Sequence, residues 1–533
     1  MPARRRSFRW LVALALALAS VSGCTGGGGR DRPGGSGGSG GSGGGGAAQG
    51  RRGGTLAIAL LDPGPLDPAR ADGLEDEVVL GNLFDGLTAI DPSGAVRPSA
   101  AASWTSGPTL RRWEFHLRPE ARWSDGSLVR SSDFTFAWQR LADPKARPAP
   151  APARTLLSGV SGYRSFAAGK ARSIAGLQAP DPATLVVQLD HPFADLPALV
   201  AALPLAPLPA ALVRPDPAAY LGRPVGNGPF RLAAPARPGR PLTLDRNPAY
   251  QGSPALLDKV SVQRVPDEQT AWLELQNGQV SFAPVPPGQL AAARTLYGPS
   301  PDGRTRPGLL QGPALTSWQL TFNRTSNPGR DLRWRQAVSL AVDREQLAAT
   351  LAGSPATTLV PPGTPVSGAA PACPACAHDP ARARQLLAKA KPGHAATLLA
   401  VPPGAEARTI ASLLAKDLAA AGITITPTTA PKGGTPLTLV RRVASYPRPD
   451  PFLDGLTVSP TARRLLDQAR ATADEPSRTS LYQQAEAATL ADLPATPLLS
   501  DHQAAVLAPT PALQGFTLTP WNTLDLAAIS LPA

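Results

Sequence analysis

Residues 113–144, WEFHLRPEARWSDGSLVRSSDFTFAWQRLADP, carry the pattern that decides the fold. Their first five side chains alternate between apolar and polar, which is typical of a half-buried β-strand. The SDG sequence at 124–126 predicts a turn, and Ser131 or Ser132 is suited to cap the helix that follows. Apolar side chains then recur at helical spacing on one face, at Phe134, Ala137, Trp138 and Leu141.

The same two periodicities continue on both sides of this stretch. Further strands are predicted at 55–60, 185–189, 242–244, 318–323 and 423–426. Further helices are predicted at 75–87, 332–351, 381–390, 405–420, 461–473 and 478–490. We find no internal repeat. A chain of 533 residues exceeds what one core holds, so the pattern predicts a mixed α/β protein of two or three lobes.

The charge of the chain is diffuse and does not indicate a nucleic-acid-binding protein. The formal net charge is +13. The arginines among the first 52 residues, set against Asp31, account for +7, which leaves +6 for residues 53–533. No basic stripe interleaved with aromatic residues is present, as nucleic-acid binding would require. We therefore expect no nucleic-acid partner.

Sequence signatures of catalysis are also missing. None of the five histidines lies in an HExxH or other metal-ligand spacing. The Gly-x-Ser-x-Gly spacing occurs only within the Gly/Ser-rich segment, at 34–44, where no strand or helix is predicted to form a nucleophile elbow. We therefore expect no catalytic residue, no metal site and no cofactor.

The first residues have the pattern of an export signal. Arginines at 4–9 precede an apolar run at 11–21, which is shorter than the ~20 residues that a membrane span needs. The run ends in VSGC at 21–24, which resembles a lipobox, whose cysteine receives diacylglycerol. We expect a signal peptide at 1–23 and lipidation of Cys24, with the protein anchored on the extracytoplasmic face of the cell membrane. An ordinary signal peptide with a chance cysteine is the alternative.

A Gly/Ser-rich segment follows at residues 24–52. Such chains behave as flexible coils with a root-mean-square span of ~25–30 Å at this length. We expect it to act as a flexible linker.

Two further cysteines, Cys373 and Cys376, form a CPAC sequence. In an oxidising extracytoplasmic compartment, a disulfide that closes a small loop is favoured. A redox site is the first alternative. A metal site is the second. Zinc would need two ligands beyond the cysteines, and although His378 is close, no second CxxC or HxxxH pair is present.

Residues 113–144 resemble the signature of the family 5 extracellular solute-binding proteins, and the ending WQRLADP resembles their oligopeptide-binding branch. Further resemblances follow in order along residues 54–530. They are NLFDGL at 82–87, NGPFRL at 227–232, LDRNPAY at 244–250, LELQNGQV at 273–280, DLRWRQAVSLAVDR at 331–344 and LYQQAE at 481–486.

The resemblance implies an α/β, two-lobed periplasmic-binding-protein-like fold of type II, cluster C-like, with an extra inserted domain. Carried onto this chain, lobe I would comprise residues 53–95, 205–310 and 495–533. The inserted domain would comprise 96–204, and lobe II 311–494. Hinge closure would enclose the ligand between the lobes.

The implied function is that of a monomeric substrate-binding lipoprotein of an ABC importer, which captures peptides and delivers them to the membrane permease. Two alternatives stay open. One keeps the fold with a non-peptide or amine-blocked ligand, and the other is a sensor or scaffold with a degenerate cleft.

The family's peptide binders pair the ligand's α-amino group with an Asp in a motif like Trp-x-Ala-Asp-Tyr-Pro-Asp-Pro followed by Phe-Leu. The matching stretch here is ASYPRPDPFL at 444–453, in which Tyr446 anchors the alignment and Ser445 takes the Asp position. A hydroxyl cannot supply the counter-charge that a buried ammonium needs. Asp450 or Asp454 is the candidate to replace it.

Four other residues are candidates for ligand contact by the same resemblance. Arg441 or Arg442 would meet the ligand carboxylate through its bidentate fork, with a solvated arginine pair as the alternative. Trp318 and Asn323 lie on a strand that would border the cleft, with a core position as the alternative for Trp318. The stretch between 453 and 459 is shorter than the family usually carries, which indicates an altered pocket.

Overall fold

A computed structural model describes residues 52–531, except 72, 146–152, 299–307, 370, 372, 391–395, 432, 509–512, 514, 516–517 and 520–523. The predicted signal peptide, Cys24 and the Gly/Ser linker as far as residue 51 lie outside this part of the chain. In the part that is described, no helix is both long and apolar enough to cross a membrane.

The strands are β1 (Thr55–Leu61), β2 (Thr88–Ile90), β3 (Val96–Pro98), β4 (Ala101–Ser106), β5 (Arg112–Leu117), β6 (Leu177–Asp181), β7 (Thr184–Gln188), β8 (Phe230–Leu232), β9 (Leu242–Arg246), β10 (Lys259–Val265), β11 (Phe282–Pro284), β12 (Leu309–Phe322), β13 (Ser354–Pro355), β14 (Thr397–Ala400), β15 (Ile425–Thr428), β16 (Leu437–Val443) and β17 (Ala495–Leu507).

The helices are α1 (Leu74–Leu83), α2 (Ser131–Ala142), α3 (Tyr163–Ala167), α4 (Leu196–Leu199), α5 (Ala210–Val213), α6 (Pro217–Gly222), α7 (Glu268–Gln276), α8 (Leu290–Tyr297), α9 (Leu332–Ala341), α10 (Arg344–Leu351), α11 (Pro380–Ala390), α12 (Ala405–Ala420), α13 (Asp450–Leu453), α14 (Pro460–Arg470) and α15 (Glu475–Asp492). The mixed α/β class predicted from the sequence is confirmed.

One large sheet runs through both lobes. Its strand order is β15-β14-β16-β12-β17-β11-β1-β10-β9-β8, with β13 paired to β17. We call the part from β11 to β8, with its helices, the first lobe. The part formed by β15, β14 and β16, with the segments that pack on it, is the second lobe.

The two long strands β12 and β17 lie side by side in the middle of the sheet and carry the chain between the lobes. At one end Val506 pairs with Leu309 on one side and with Ala283 of β11 on the other. At the other end Thr321 pairs with Ala495 on one side and with Thr438 of β16 on the other. Both crossings therefore lie in one two-stranded ribbon, which we call the hinge ribbon because a bend there would move one lobe against the other.

A separate antiparallel sheet, with strand order β4-β5-β7-β6, forms with α2 what we call the four-stranded module. The alternating residues Trp113, Phe115 and Leu117 are buried, as the sequence predicted for β5. The predicted apolar face of α2 is buried as well, and the indole of Trp138 donates a hydrogen bond to the Leu205 carbonyl at 2.8 Å. Residues 113–144 thus supply the buried side chains of β5 and α2 in the four-stranded module.

The second lobe is built around α12. Its side chains Ile410, Leu414 and Leu418 follow one another at four-residue spacing and belong to the same buried cluster as the strand residues Leu399 and Leu437. Burying one such aliphatic side chain stabilises a fold by about 1.5–3 kcal/mol. The predicted helix at 405–420 is confirmed at both ends.

Three local predictions were wrong. The helix predicted at 332–351 is two helices, because Val342 is extended and Asp343 caps the second helix by accepting from the Gln346 N–H at 2.9 Å. The helix predicted to reach residue 87 ends at Leu83, because Phe84 is extended. Neither predicted serine caps α2: Arg130 occupies the cap position, and its N–H donates to the Asp133 carboxylate at 2.9 Å.

Candidate functional site

A cavity of about 920 Å³ lies where the first lobe and the four-stranded module face the second lobe. The second lobe contributes residues 444–447, directly after β16. The other side is lined by residues 52, 77, 81–82, 84–86, 88–90, 98–100, 118, 121–122, 201–203, 227, 229, 250–254, 256, 524–525 and 527–528. Residues far apart in sequence therefore enclose one space.

The NGPFRL element fixes the floor of this cavity. The side chain of Asn227 accepts a hydrogen bond from the Asp85 N–H at 3.0 Å and donates one to the Asp85 carbonyl at 3.1 Å. Gly228 donates from its backbone to the Leu83 carbonyl at 2.9 Å. A side chain at Gly228 would come within 2.7 Å of the Leu83 backbone, so the close approach requires glycine. These hydrogen bonds fix the segment that follows α1, so that Asp85 lies at the cavity.

Two carboxyl groups of the first lobe face the cavity. Burial raises the pKa of Asp85 to about 6, although hydrogen bonds from Tyr250 and Ser99 favour its ionised form. The Tyr250 hydroxyl donates to Asp85 at 2.9 Å. Burial also raises the pKa of Glu77 to about 8, and the neighbouring Asp76 adds to the rise. A cation in the cavity would stabilise the ionised form of both carboxyls.

Basic side chains line the same cavity. Arg118 is half-buried, and its Nε donates to the Ser99 carbonyl at 2.8 Å. Arg52 and Arg122 are exposed members of the lining. A cavity that holds both carboxyl and guanidinium groups can accommodate a ligand with charges of both signs.

Two of the candidate ligand residues lie at this cavity. Ser445 is exposed and lines it, as does Tyr446. The Tyr446 ring is buried and stands edge-on to Phe193, with 6.4 Å between ring centroids. Its hydroxyl donates to Asp450 at 3.1 Å.

Asp450 and Asp454 are engaged elsewhere. Arg470 reaches both, with its Nε 2.7 Å from Asp450 and its Nη2 2.8 Å from Asp454. Neither carboxylate is among the residues that line the large cavity.

Trp318 and Arg441 lie instead at a second cavity of about 380 Å³. The Trp318 indole is buried and donates to Glu406 at 3.1 Å. Arg441 pairs with Asp501 at 2.9 Å. Burial raises the pKa of Asp501 to about 6 against the influence of Arg441. The structure therefore divides the candidate residues between two cavities.

The remaining two candidate ligand residues line neither cavity. The Asn323 side chain closes a turn after β12, where it accepts from the Thr325 N–H at 3.1 Å. Arg442 is half-buried, burial lowers its pKa, and its Nε has no hydrogen-bond acceptor among the described residues.

Cys373 and Cys376 are joined by a disulfide, with 5.3 Å between their Cα atoms. The Cys376 carbonyl accepts a hydrogen bond from Arg344 at 2.9 Å, which ties the small loop to α10. No group of three or more His, Cys, Asp or Glu side chains in the described part of the chain is arranged to hold a metal ion.

Glu77 and Asp85 were missed from the sequence as site residues. Asp85 lies in the NLFDGL stretch, whose resemblance to the family gave a helix end and no role for the carboxylate. Glu77 follows two other acids in the first turn of α1, where carboxylates are favoured whatever their function. Nothing local distinguishes it from its neighbours.

Comparisons with known proteins agree with this architecture. The family model described as "Bacterial extracellular solute-binding proteins, family 5 Middle" matches residues 95–463. The solved structure of the Escherichia coli murein tripeptide binding protein MppA superposes with a TM-score of 0.73 at 23% identity, covering 91% of this chain and 99% of that one. This likeness shows the two-lobed type II periplasmic-binding-protein fold, as the sequence predicted.

Two curated relatives from Escherichia coli (strain K12) are similar in sequence. The probable deoxycholate-binding periplasmic protein YgiS is 30% identical over 314 residues, which is 56% of each chain. The periplasmic murein peptide-binding protein MppA is 29% identical over 295 residues, which is 55% of this chain and 53% of that one. The chain thus spans about half the length of the curated relatives that it matches.

Proposed function

Because the chain belongs to the family 5 bacterial extracellular solute-binding proteins, we propose that it is the substrate-binding component of an ABC importer. In this role it captures peptides between its two lobes and delivers them to the membrane permease. The observation that carries the proposal is the cavity of about 920 Å³ lined from both lobes. Ligand pockets of about 300–1,000 Å³ are typical of small-molecule sites.

A peptide suits the chemistry of this cavity. A short peptide carries an ammonium at one end and a carboxylate at the other, and the lining offers carboxyl and guanidinium groups. The hinge ribbon of β12 and β17 allows the lobes to close around such a ligand. The relative named for a murein peptide supports the same ligand class.

A second candidate keeps the site and changes the ligand to a non-peptide or amine-blocked solute. Ser445 favours it, because the residue at the family's amine-binding position carries no charge. The relative named for deoxycholate binding favours it as well.

The proposal includes the division into lobe I (53–95, 205–310 and 495–533), inserted domain (96–204) and lobe II (311–494). It also includes export by the signal peptide at 1–23 and lipidation of Cys24, with residues 24–52 as a flexible tether. An acylated cysteine with several chains is sufficient for stable membrane attachment. The protein acts as a monomer, and we assign it no catalytic step, since the family is one of solute binders.

Native mass spectrometry of the protein purified without denaturation tests the proposal. We expect a heterogeneous set of bound masses in the peptide range. These masses are expected either in the protein as purified or after a tripeptide mixture is added. A clean unliganded mass that the mixture leaves unshifted would contradict peptide capture. A single bound mass outside the peptide range would favour the second candidate.

A further inference from the structure

The residue at the family's amine-binding position carries no charge in this protein, which raises the question of what neutralises a cationic ligand. Ser445 faces the large cavity, and its hydroxyl is no counter-ion. Asp450 and Asp454 follow it in sequence, but Arg470 binds both and neither lines the cavity. A negative charge for the ligand must therefore come from another part of the lining.

Glu77 is an unpaired carboxyl at this cavity. It is half-buried, and no described residue donates a hydrogen bond to its carboxylate or forms an ion pair with it. Its place in the lining means that the cavity is where a partner can reach it. Partial desolvation disfavours the ionised form of this carboxyl, and a ligand cation would offset that effect.

Asp85 follows Glu77 by eight residues, two beyond the end of α1, and lines the same cavity. Its carboxylate accepts a hydrogen bond from the Tyr250 hydroxyl at 2.9 Å, and the Asn227 side chain forms hydrogen bonds with both its backbone N–H and its carbonyl. This support holds the group in place before any ligand arrives, so little ordering is needed on binding.

We propose that the protonated amine of the ligand is held from the first lobe, by Glu77 and Asp85, across the cavity from Ser445. The ammonium is then bound by the first lobe, whereas the family's amine-binding position, occupied here by Ser445, lies in the second lobe. This inference rests on the proposed function for the identity of the ligand, but it concerns the amine alone. It requires that the ligand carry a cationic group, which excludes amine-blocked peptides.

Titration of tripeptides into the purified protein tests the inference. The probes are a mixture of tripeptides with uncharged side chains, the same mixture N-acetylated, and the polyamine spermidine. We expect wild type to prefer the free-amine mixture by about tenfold or more. The isosteric variants Glu77→Gln and Asp85→Asn should each lose about tenfold in affinity for it. Glu75→Gln is the matched control, because Glu75 lies on the same helix and does not line the cavity.

The outcomes separate this inference from the proposed function. If wild type binds the free and acetylated mixtures equally, peptide capture stands and the amine seat is overturned, with no variant needed. If neither mixture binds while spermidine does, and Glu77→Gln abolishes that binding, the amine seat stands and peptide capture fails. If none of the three probes binds, both are overturned.

Discussion

Arg448 and Asp195 form an ion pair between the second lobe and the start of α4, with 3.2 Å between Nε and Oδ1 and side chains 3% and 2% exposed. Asp195 also accepts from the Tyr482 hydroxyl at 2.8 Å and lies 3.3 Å from Arg478. Since Arg448 follows the cavity-lining residues 444–447 directly, this buried network fixes one wall of the cavity.

Removing the carboxylate should destabilise the protein strongly. In Asp195→Ala, the buried guanidinium group of Arg448 loses its counter-ion, while that of Arg478 keeps the exposed Glu475 at 3.6 Å. Breaking such a buried pair typically lowers the free energy of unfolding by about 3–5 kcal/mol. Urea denaturation measures the change. The control is Asp467→Ala, an exposed partner of Arg470, for which we expect a change within about 0.5 kcal/mol. Equal effects of the two variants would contradict this account of Asp195.

Removing the guanidinium group of Arg344, in the second lobe, should also destabilise the protein strongly. Its buried guanidinium donates to the carbonyls of Ser339, Cys376 and Pro497 and to the Thr496 hydroxyl, with no carboxylate partner among these contacts. Arg344→Met leaves several buried carbonyls without donors, so the free energy of unfolding should fall by about 3 kcal/mol or more.

The exposed Arg333 supplies the control for that measurement. It pairs with Asp331 at the surface of α9, so Arg333→Ala should change stability by less than about 1 kcal/mol. A loss for Arg344→Met no larger than this would show that its hydrogen bonds are dispensable.

Stability should depend on the ionisation of Glu486. Its carboxylate accepts from the N–H groups of Leu359 and Val360 at 2.7 and 2.9 Å, yet burial raises its pKa from 4.5 to about 7. The folded state therefore binds this proton more tightly than the unfolded state. Its contribution to stability is fully present below pH about 4.5 and is lost as the pH rises towards about 7.

Glu486→Gln removes that titration, so the stability of wild type relative to the variant should fall between pH 5 and pH 8. Chemical denaturation at both pH values measures the difference, with the exposed Glu475→Gln as control. The other buried acids titrate alike in wild type and variant and cancel. A difference that does not vary with pH would refute the assignment.

The disulfide should stabilise the loop without affecting the ligand. Cys373 and Cys376 are three residues apart, so the chain-entropy relation gives roughly 2 kcal/mol for the bond. The double variant Cys373→Ser, Cys376→Ser should lose about that much stability and keep its ligand affinity within about twofold, since neither residue lines the large cavity. A redox role at the ligand site would instead appear as a loss of binding under reducing conditions.

Filling the cavity should block binding without unfolding the protein. Ser445 is exposed and faces the cavity, so Ser445→Trp should lower peptide affinity by about tenfold or more while stability changes by about 1 kcal/mol or less. Val443→Trp is the control, because Val443 is exposed on β16 and lies outside the cavity lining. Titration calorimetry compares the two variants. Undiminished binding by Ser445→Trp would show that the ligand does not bind in this cavity.

Local patterns predicted much of the fold because apolar periodicity is a local property. The predicted α2 and α12 and the strand β5 agree with the structure to within about a residue, since each buries one regular face. The break between α9 and α10 was missed because Asp343 interrupts a run whose apolar spacing continues through it. A capping Asp inside such a run is visible only once the backbone bends.

The site was less predictable than the fold. The resemblance located Ser445 and Tyr446 at the large cavity, but Trp318 and Arg441 face a different one. Glu77 joins Ser445 only because the two lobes meet, and no pattern in either segment encodes that meeting. Charge compensation across a cleft is a tertiary property, so a missing Asp in one segment gives no information about the other.

Hydrogen–deuterium exchange with and without the tripeptide mixture tests most directly whether the ligand lies between the lobes. If the ligand lies between the lobes, peptide addition should slow exchange in residues 77–90 and 250–256 of the first lobe and in residues 444–447 of the second. Protection on both sides would establish that one ligand contacts both lobes. Binding accompanied by protection of one side alone, or of neither, would contradict the cavity as the ligand site.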